Sequence, residues 1–316
     1  MILIVADPAD VHAQVVARRL EVRGEDCAIL NAADFPTRSE ITTCYDGPAC
    51  DDVIIGPAGS ISSSAVKGLW IRRLSAHDIS PRIADPTVAR FAYTQCRDHF
   101  QSLIQAIPNV INPRVAEATA EFKPLQLRAA QMVGLRIPKT IVSNRVEDIR
   151  EFVAAAKTEV IFKTLSGTAF QFTGTTKFDG SHEAALDAAK LAPTIFQEKI
   201  DAGTHIRATM VDDVILSASI RSRKDPAPLD WRLERDSEIR PCKLPDEIEN
   251  RLRLLRQRLG LRYGAVDLIL STSGEYVFLE INPAGQFLFV EIHGGVPISE
   301  AIADALIGKR DAHAVC

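Results

Sequence analysis

Two alternating strands near the carboxyl end of the chain constrain its fold more than any other feature. Residues 265–271 and 276–282 alternate apolar and polar side chains around the short segment Thr272-Ser273-Gly274-Glu275. Such alternation is typical of strands with one buried face, and a Ser-Gly pair favours a tight hairpin turn. A two-residue turn at Ser273 and Gly274 predicts three apolar pairs on the buried face: Val266 with Ile281, Leu268 with Leu279 and Leu270 with Val277.

The same register places two carboxylates opposite each other on the polar face of this hairpin. Asp267 faces Glu280, and Asn282 lies two residues further along the same face. Facing carboxylates repel each other, and a cation between them is one way to offset that repulsion. Asp, Glu and Asn supply the oxygen ligands that Mg²⁺ takes together with phosphate oxygens. A solvated polar face without metal is the alternative, and spacing alone does not choose between the two.

Several cations elsewhere in the chain are candidates for binding phosphate. Lys163 ends an apolar strand and precedes a small polar segment that begins at Ser166 and Gly167. A lysine at a strand end beside a flexible loop can hold nucleotide phosphates, although the motif G-x-x-x-x-G-K-[ST] is absent. Taken singly, Lys163 and Lys123 are more often ordinary surface lysines, and Arg207 is more often a side chain that caps a sheet edge.

The first part of the chain has the pattern of a small α/β unit. An apolar run at residues 2–5 precedes a helical pattern that ends at Gly24, and a second apolar run follows at residues 27–30. This strand, helix, strand order predicts a parallel sheet. Strand patterns dominate from Pro193 onwards, apart from an arginine-rich helix predicted at 245–259. The predicted fold class is therefore α/β, with an α+β carboxyl-terminal part.

Composition argues against several functional classes. A net charge of −4 gives no reason to expect nucleic acid or a membrane surface as a partner. No apolar run approaches the length that spans a bilayer, and the apolar start lacks the features of a signal peptide. The six cysteines include no C-x-x-C pair, which favours reduced thiols in a cytoplasmic protein over a disulfide framework or a zinc site.

The order of the candidate residues resembles that of the ATP-grasp superfamily. Their joint order is far more specific than any single member: Lys123, Lys163 with its Ser-Gly-Thr loop, Gln197-Glu198, Arg207, Asp267, Glu280 and Asn282. A closer resemblance, over nearly the whole chain, is to the microviridin-type ligases, which crosslink ribosomally made peptides (graspetides). The segments that carry it are 2–5, 31–36, 70–73, 123–127, 134–140, 163–167, 230–232, 243–245, 263–267 and 280–286.

This resemblance implies an ATP-grasp fold preceded by a small pre-ATP-grasp domain of α/β type. The expected units are residues 1–115 for the first domain, 116–192 for the central lobe and 193–316 for the carboxyl-terminal lobe with the metal-binding hairpin. ATP is expected between the two lobes, because ligands commonly occupy clefts between domains.

Roles follow from the resemblance position by position. It implies ATP binding by Lys123, Lys163, Ser166 and Gly167. It implies a hinge against adenine formed by Gln197, Glu198, Lys199, Ile200 and Asp201. Asp267, Glu280 and Asn282 are expected to hold two Mg²⁺ ions. Arg207 is expected to stabilise the phosphoryl oxygens and the acyl phosphate, and Arg232 to lie near the acceptor or the activated carboxylate.

The implied activity is ATP-dependent carboxylate ligation through an acyl phosphate, ending in an ester or an amide. The implied substrate is a precursor peptide with a leader segment, whose side chains become joined as ω-esters or ω-amides. The implied cofactors are ATP and Mg²⁺, and the resemblance also suggests a homodimer. The predicted 208–220 hairpin and the 245–259 helix are two candidate surfaces for the leader.

Three departures and three alternatives stay open at this point. Arg221-Ser222-Arg223 lies where a less basic stretch is expected. His205 stands where the family usually has an acid, which leaves Asp201 as a substitute contact for ribose. Phe287-Leu288-Phe289 replaces a tryptophan-containing run, so the acceptor pocket is expected to differ. The alternatives are an ATP-grasp ligase for small molecules such as amino acids, with a small carboxylate and an amine or alcohol as substrates, a phosphotransferase, and a non-catalytic nucleotide-binding module. Intact lysines and carboxylates argue against the last.

Overall fold

The structure is a computed structural model that describes residues 1–46, 49–166, 174–224 and 236–308. In its first part, the described residues form seven strands and two α-helices. These are β1 (Ile2–Val5), α1 (Val11–Val22), β2 (Cys27–Leu30), β3 (Glu40–Asp46), β4 (Ala49–Gly56), β5 (Gly59–Ser62), β6 (Gly68–Ile71), α2 (Pro86–Ala106) and β7 (Val110–Ile111).

A four-stranded parallel sheet forms the centre of this first part, in the order β2-β1-β6-β7. Strand β1 is buried on both faces, which explains its uninterrupted apolar sequence. Ile2 and Ile4 belong to a core that includes α1 and the last helices of the chain, whereas Leu3 and Val5 belong to a core that includes α2. The predicted α/β opening is confirmed by this arrangement. Strands β3, β4 and β5 form a separate antiparallel sheet.

The middle of the chain forms a second, smaller layer. Its elements are α3 (Arg114–Ala120), α4 (Lys123–Met132), β8 (Thr140–Ser143), α5 (Val146–Ala154), β9 (Val160–Lys163), β10 (Thr176–Lys177), α6 (Leu186–Ala189) and β11 (Thr194–Glu198). The four strands pair antiparallel in the order β10-β9-β11-β8. Pro124 lies in the first turn of α4, where its missing N–H costs nothing, so α4 starts beside this proline, just after α3 ends.

The last part contains a five-stranded antiparallel sheet in the order β14-β13-β12-β15-β16. Its elements are β12 (Ala202–Val211), β13 (Val214–Arg221), β14 (Glu238–Cys242), α7 (Asp246–Leu259), β15 (Tyr263–Ser271), β16 (Tyr276–Asn282), α8 (Leu288–Gly294) and α9 (Ile298–Leu306). One face of this sheet packs on α4 and α7 through apolar side chains such as Ile206, Val266 and Ile281. Helix α8 was not predicted.

The hairpin of β15 and β16 follows the predicted register only at its base. Val266 faces Ile281 as expected, but Leu268 faces Phe278 and Leu270 faces Tyr276. The shift is a bulge beside Asp267, with Leu279 as the extra residue on β16. A longer turn accompanies it. The Ser271 N–H donates to the Glu275 carbonyl, so the turn has three residues, 272–274, instead of two, and Gly274 takes a left-handed φ of 84° in it.

Helices α8 and α9 return the chain to its beginning. Residues of α9 share a core with Ile2, Ile4 and α1, and Arg19 of α1 and Arg23 just after it pair with Glu300 and Asp304 of α9. The sheet of the last part is therefore covered on its second face, at one end, by the first part of the chain. Among the described residues, no helix combines the length and hydropathy needed to cross a membrane.

Candidate active site

The facing carboxylates lie where the sequence predicted. Asp267 of β15 and Glu280 of β16 occupy directly opposite positions in the ladder, just before the bulge. The bulge therefore keeps both side chains on the polar face while it returns the next residues to the apolar face. Asp267 is buried and Glu280 is half-buried.

Arg207 faces Asp267 from the neighbouring strand β12 and binds it with its guanidinium. Arg207 Nη1 lies 2.8 Å from both carboxylate oxygens of Asp267. The two side chains are only 7% and 8% exposed, so water screens this pair little. The same guanidinium also donates through Nη2 to the carbonyl of Gln286, at 3.3 Å, and its Cζ lies 6.0 Å from the centre of the Phe289 ring.

Lys123 reaches the second carboxylate from the first turn of α4. Its Nζ donates to Glu280 Oε2 at 2.7 Å, and both side chains are partly exposed. These two residues are 157 positions apart. Each carboxylate of the facing pair thus has its own cation, one from the adjacent strand and one from a helix that packs across the sheet edge.

Gln126 fixes α4 to that edge and was not singled out from the sequence. It is 3% exposed, and its amide exchanges two hydrogen bonds with the backbone of Ile281 in β16: Nε2 donates to the carbonyl at 2.9 Å, and Oε1 accepts from the N–H at 3.0 Å. At Ile281 the outer edge of β16 is therefore capped by a side chain, whereas nearer the turn the backbone of Arg136 pairs with it at Val277 and Phe278. Lys123 lies one helical turn before Gln126, so this contact sets where Lys123 projects.

Asn282, at the end of β16, is exposed, and its Oδ1 accepts a hydrogen bond from the Ala284 N–H at 3.0 Å. Asp267, Glu280 and Asn282 together offer only oxygen donors, which suit Mg²⁺ better than softer metals. The described residues contain no group of three or more His, Cys, Asp or Glu side chains that could hold a metal by themselves. The donor set fits a magnesium ion that keeps water or phosphate oxygens as its other ligands.

The predicted phosphate-binding residues of the central layer lie on the other sheet. Lys163 is the last residue of β9 and pairs with Ile195 of β11. Ser166 follows in an exposed bend. Gly167, with most of the predicted loop, lies outside the described residues, as does Arg232. The roles of these residues stay predictions.

The predicted hinge comprises the last two residues of β11, Gln197 and Glu198, and the connection 199–201 to β12, which joins the two sheets. Gln197 is buried and donates to Thr140 Oγ1 at 2.9 Å, so its side chain is occupied within the sheet. Glu198 exchanges hydrogen bonds with the backbone of Lys139. Lys199 binds Glu159, and the bonds from Lys177 and Lys199 lower the pKa of that carboxyl to about 2.

Two further residues of this connection are less constrained. Ile200 is half-buried and Asp201 is exposed, and the Asp201 carbonyl accepts a hydrogen bond from the Thr272 N–H at 3.1 Å. His205 lies on β12 two residues before Arg207, hence on the same face of the sheet. The structure thus places the predicted hinge between the sheets, with Asp201 and His205 on the side of the carboxyl-terminal sheet.

Comparison with known proteins agrees with this geometry. The model of the MvdD pre-ATP grasp domain matches residues 1–117. The structure of macrocyclase MdnC from Microcystis aeruginosa MRC, bound with precursor peptide MdnA, is similar over 97% of this chain and 99% of its own, with 29% identity and a TM-score of 0.86. This chain is an ATP-grasp ligase. Its resemblance to the microviridin-type ligases, predicted from the sequence, is confirmed.

Two more solved structures are similar to this ligase over nearly all of both chains. One is the RiPP-associated ATP-grasp ligase of Chryseobacterium gregarium in complex with ADP and a leader and core peptide, with 25% identity, a TM-score of 0.90 and coverage of 98% and 97%. The other is ATP-grasp ligase PsnB complexed with minimal precursor, Mg and ADP, with 23% identity, a TM-score of 0.79 and coverage of 98% and 96%, which supports the fold. No curated protein matches the chain.

Proposed function

We propose that this ATP-grasp ligase closes rings in a ribosomally made precursor peptide. It activates a side-chain carboxylate with ATP and joins it to a hydroxyl or amine of the same peptide. The observation that carries the proposal is the facing pair Asp267 and Glu280, each with its own cation, in a chain that is similar over nearly its whole length to peptide-bound ligases.

In the first step, an oxygen of the substrate carboxylate attacks the γ-phosphorus of ATP, and ADP leaves with the electron pair of the broken bond. Mg²⁺, when bound, would neutralise the charge that develops on the phosphates. Asp267, Glu280 and Asn282 supply its oxygen ligands, and Lys123 and Lys163 bind phosphate oxygens. In this scheme Lys123 exchanges its present partner, Glu280, for a phosphate oxygen.

In the second step, the hydroxyl or amine attacks the carbonyl carbon of the acyl phosphate and phosphate leaves. The product is an ω-ester or an ω-amide, and the proton of the attacking group passes to phosphate or water. Negative charge collects on the carbonyl oxygen as the bond forms, and a fixed donor in a dry site stabilises that charge. Arg207 is our candidate for this donor, because its guanidinium is nearly buried and held from two sides.

The proposal extends to the setting of the reaction. We propose that two Mg²⁺ ions bind, because three oxygen-donor side chains and the phosphates offer enough ligands for two octahedral sites. The precursor peptide is proposed to carry a leader segment, and the ligase to act in the cytoplasm as a homodimer.

Mass spectrometry combined with an ADP assay tests the proposal. The ligase is incubated with Mg²⁺-ATP and each precursor peptide encoded beside its gene. We expect one ADP for each bond and a peptide that loses the mass of one water for each bond. Fragmentation locates the joined side chains, and mild base separates esters, which hydrolyse, from amides, which persist.

Other outcomes identify the alternatives. Turnover with free amino acids but not with any peptide assigns the enzyme to the small-molecule ligases. A peptide that gains the mass of a phosphate group without losing water identifies a phosphotransferase. Failure to bind Mg²⁺-ATP in calorimetry contradicts the ligase mechanism as a whole, including the roles given to Lys123 and Glu280.

A further inference from the structure

A short irregular segment, residues 283–286, runs between the end of β16 and helix α8. Its four consecutive carbonyl oxygens each accept a hydrogen bond from a different side chain, a set that we name the carbonyl clamp. The four contacts are Asn112 Nδ2 to Pro283 O at 2.9 Å, Arg72 Nη1 to Ala284 O at 2.8 Å, Tyr263 Oη to Gly285 O at 2.7 Å and Arg207 Nη2 to Gln286 O at 3.3 Å.

Two of the four donors come from the pre-ATP-grasp part of the chain. Arg72 directly follows β6 and Asn112 directly follows β7. These strands are parallel neighbours, so both donors lie at the same edge of the sheet. Asn112 also bonds the backbone of Tyr263 at the start of β15. Hydrogen bonds from the first sheet therefore hold the base of the hairpin that carries Asp267 and Glu280.

The clamp is mechanically close to the proposed catalytic arginine. Gln286 O and the carboxylate of Asp267 are the two anchors of the Arg207 guanidinium. Gly285 packs tightly between them, since a Cβ added at this position would lie 2.5 Å from Ala265 Cβ and 3.0 Å from Arg207 Nη2. Because such close packing transmits small displacements, a shift of Ala284 is passed to Gln286 and to Arg207.

A buried arginine is an energetically unfavourable residue for binding a single carbonyl. Arg72 is 2% exposed, and its Nε lies 3.4 Å from Asp10 Oδ2 in its ion pair. Burial lowers the pKa of Arg72, which shows that its charged form is disfavoured there. Burial of a guanidinium carries a desolvation penalty, whereas a neutral amide, that of Asn112, binds the preceding carbonyl, Pro283 O. Stability of the fold alone does not account for a cation here.

We propose that Arg72 is a positioning residue for the ligation reaction. It fixes the carbonyl clamp, and through the clamp it holds the guanidinium of Arg207 in the orientation that the reaction needs. The pre-ATP-grasp domain thereby contributes to catalytic geometry without touching the reacting atoms. This inference rests on the proposed function, because it assumes that Arg207 acts in the reaction.

The test compares Arg72→Met and Arg72→Lys with a matched control, Arg23→Met. Arg23 is also a largely buried arginine between the same parts of the chain, but it pairs with Glu300 and Asp304 far along α9 from the clamp. We expect Arg72→Met to lower kcat for ADP release roughly 10- to 100-fold, the range that a displacement of about 1 Å produces. The KM for ATP should change less than about 3-fold, Arg72→Lys should recover part of kcat, and Arg23→Met should keep the wild-type kcat.

Hydrogen exchange of residues 283–290 supplies a readout that needs no substrate. We expect faster exchange of this segment in Arg72→Met than in the wild type or Arg23→Met. Wild-type kcat in a folded Arg72→Met overturns the inference, and so does a matched fall in kcat in both arginine variants. If Arg72→Met does not fold, wild-type kcat in Arg72→Lys overturns it. A wild-type ligase that joins no peptide contradicts the proposed function instead, while the exchange data still report whether Arg72 holds the clamp.

Discussion

Lys123 Nζ lies 2.7 Å from Glu280 Oε2, so a proposed phosphate-binding lysine and a proposed magnesium ligand are partners of each other. The contact joins the first turn of α4 to the last strand of the sheet. In the proposed mechanism this lysine must change partner. Binding of Mg²⁺-ATP would supply both new partners at once, phosphate for the lysine and metal for the carboxylate, so the proposed roles predict that nucleotide and metal binding are coupled at this site.

Glu280→Gln should abolish ring closure, with kcat lowered by at least about 10³-fold, because a neutral amide cannot offset the charge of Mg²⁺. The matched control is Glu275→Gln, which lies in the same hairpin but pairs with Arg136 at the surface. ADP release and peptide mass measure both variants. Equal activity of Glu280→Gln and Glu275→Gln would contradict the role given to Glu280.

Gln126→Leu should weaken nucleotide binding, although Gln126 is not among the residues proposed to contact the nucleotide. The change leaves the N–H and C=O of Ile281 without their side-chain partner, and each unsatisfied buried group costs about 1–3 kcal/mol. Helix α4 then loses its attachment to β16, and Lys123 loses its fixed position. We expect a lower midpoint in urea unfolding and a Kd for Mg²⁺-ATP raised roughly 10-fold by calorimetry. Gln126→Glu keeps the acceptor at Oε1 but sets a carboxylate oxygen against the carbonyls of Ala120 and Ile281 that Nε2 now binds, so its effect on both measurements should be at least as large as that of Gln126→Leu.

Arg207 and Asp267 should depend on each other for stability as well as for chemistry. Removal of one partner of a buried pair leaves an uncompensated charge, so Arg207→Met and Asp267→Leu should each cost about 3–5 kcal/mol in unfolding free energy. The double variant should cost less than either single change, because no buried charge remains. The pair Arg136 and Glu275, which is more exposed, provides the control and should show less than about 1 kcal/mol of coupling. Additive costs at Arg207 and Asp267 would contradict a tight pair.

Some of this site could be predicted from local pattern. Strand alternation predicted that Asp267 and Glu280 share the polar face. Their direct pairing was predicted from a two-residue turn, and it is right because the bulge at Leu279 offsets the extra residue of the turn. The register beyond them could not be predicted, since the three-residue turn at Gly274 and the bulge at Leu279 are set by backbone geometry that the dipeptide Ser-Gly does not specify.

Contacts between residues far apart in the sequence could not be predicted from it. Lys123 was singled out through family resemblance, yet its partner Glu280 is 157 residues away. Gln126 and Arg72 bind backbone carbonyls, and such partners leave no side-chain pattern to detect. The predicted roles of Ser166 and Asp201 stay predictions, as do those of Gly167 and Arg232 outside the described residues.

His12 should make the unfolding free energy of the protein depend on pH. This residue lies in the pre-ATP-grasp domain, next to the carbonyl clamp. Its ring packs edge-on against Phe287, and burial, then the charge of Arg72, lowers its pKa from 6.5 to about 4. Between these two pKa values the imidazole is protonated in the unfolded chain but not in the folded chain. Stability that is present above pH 6.5 is therefore lost as the pH falls towards 4. At pH 5 the loss is about 2 kcal/mol, at 1.36 kcal/mol per pH unit.

Urea unfolding at pH 7.5 and pH 5 measures this loss of unfolding free energy. His12→Leu should lose about 2 kcal/mol less than the wild type over this interval, because the carboxylates common to both proteins contribute equally, and an identical loss in both would contradict the assignment.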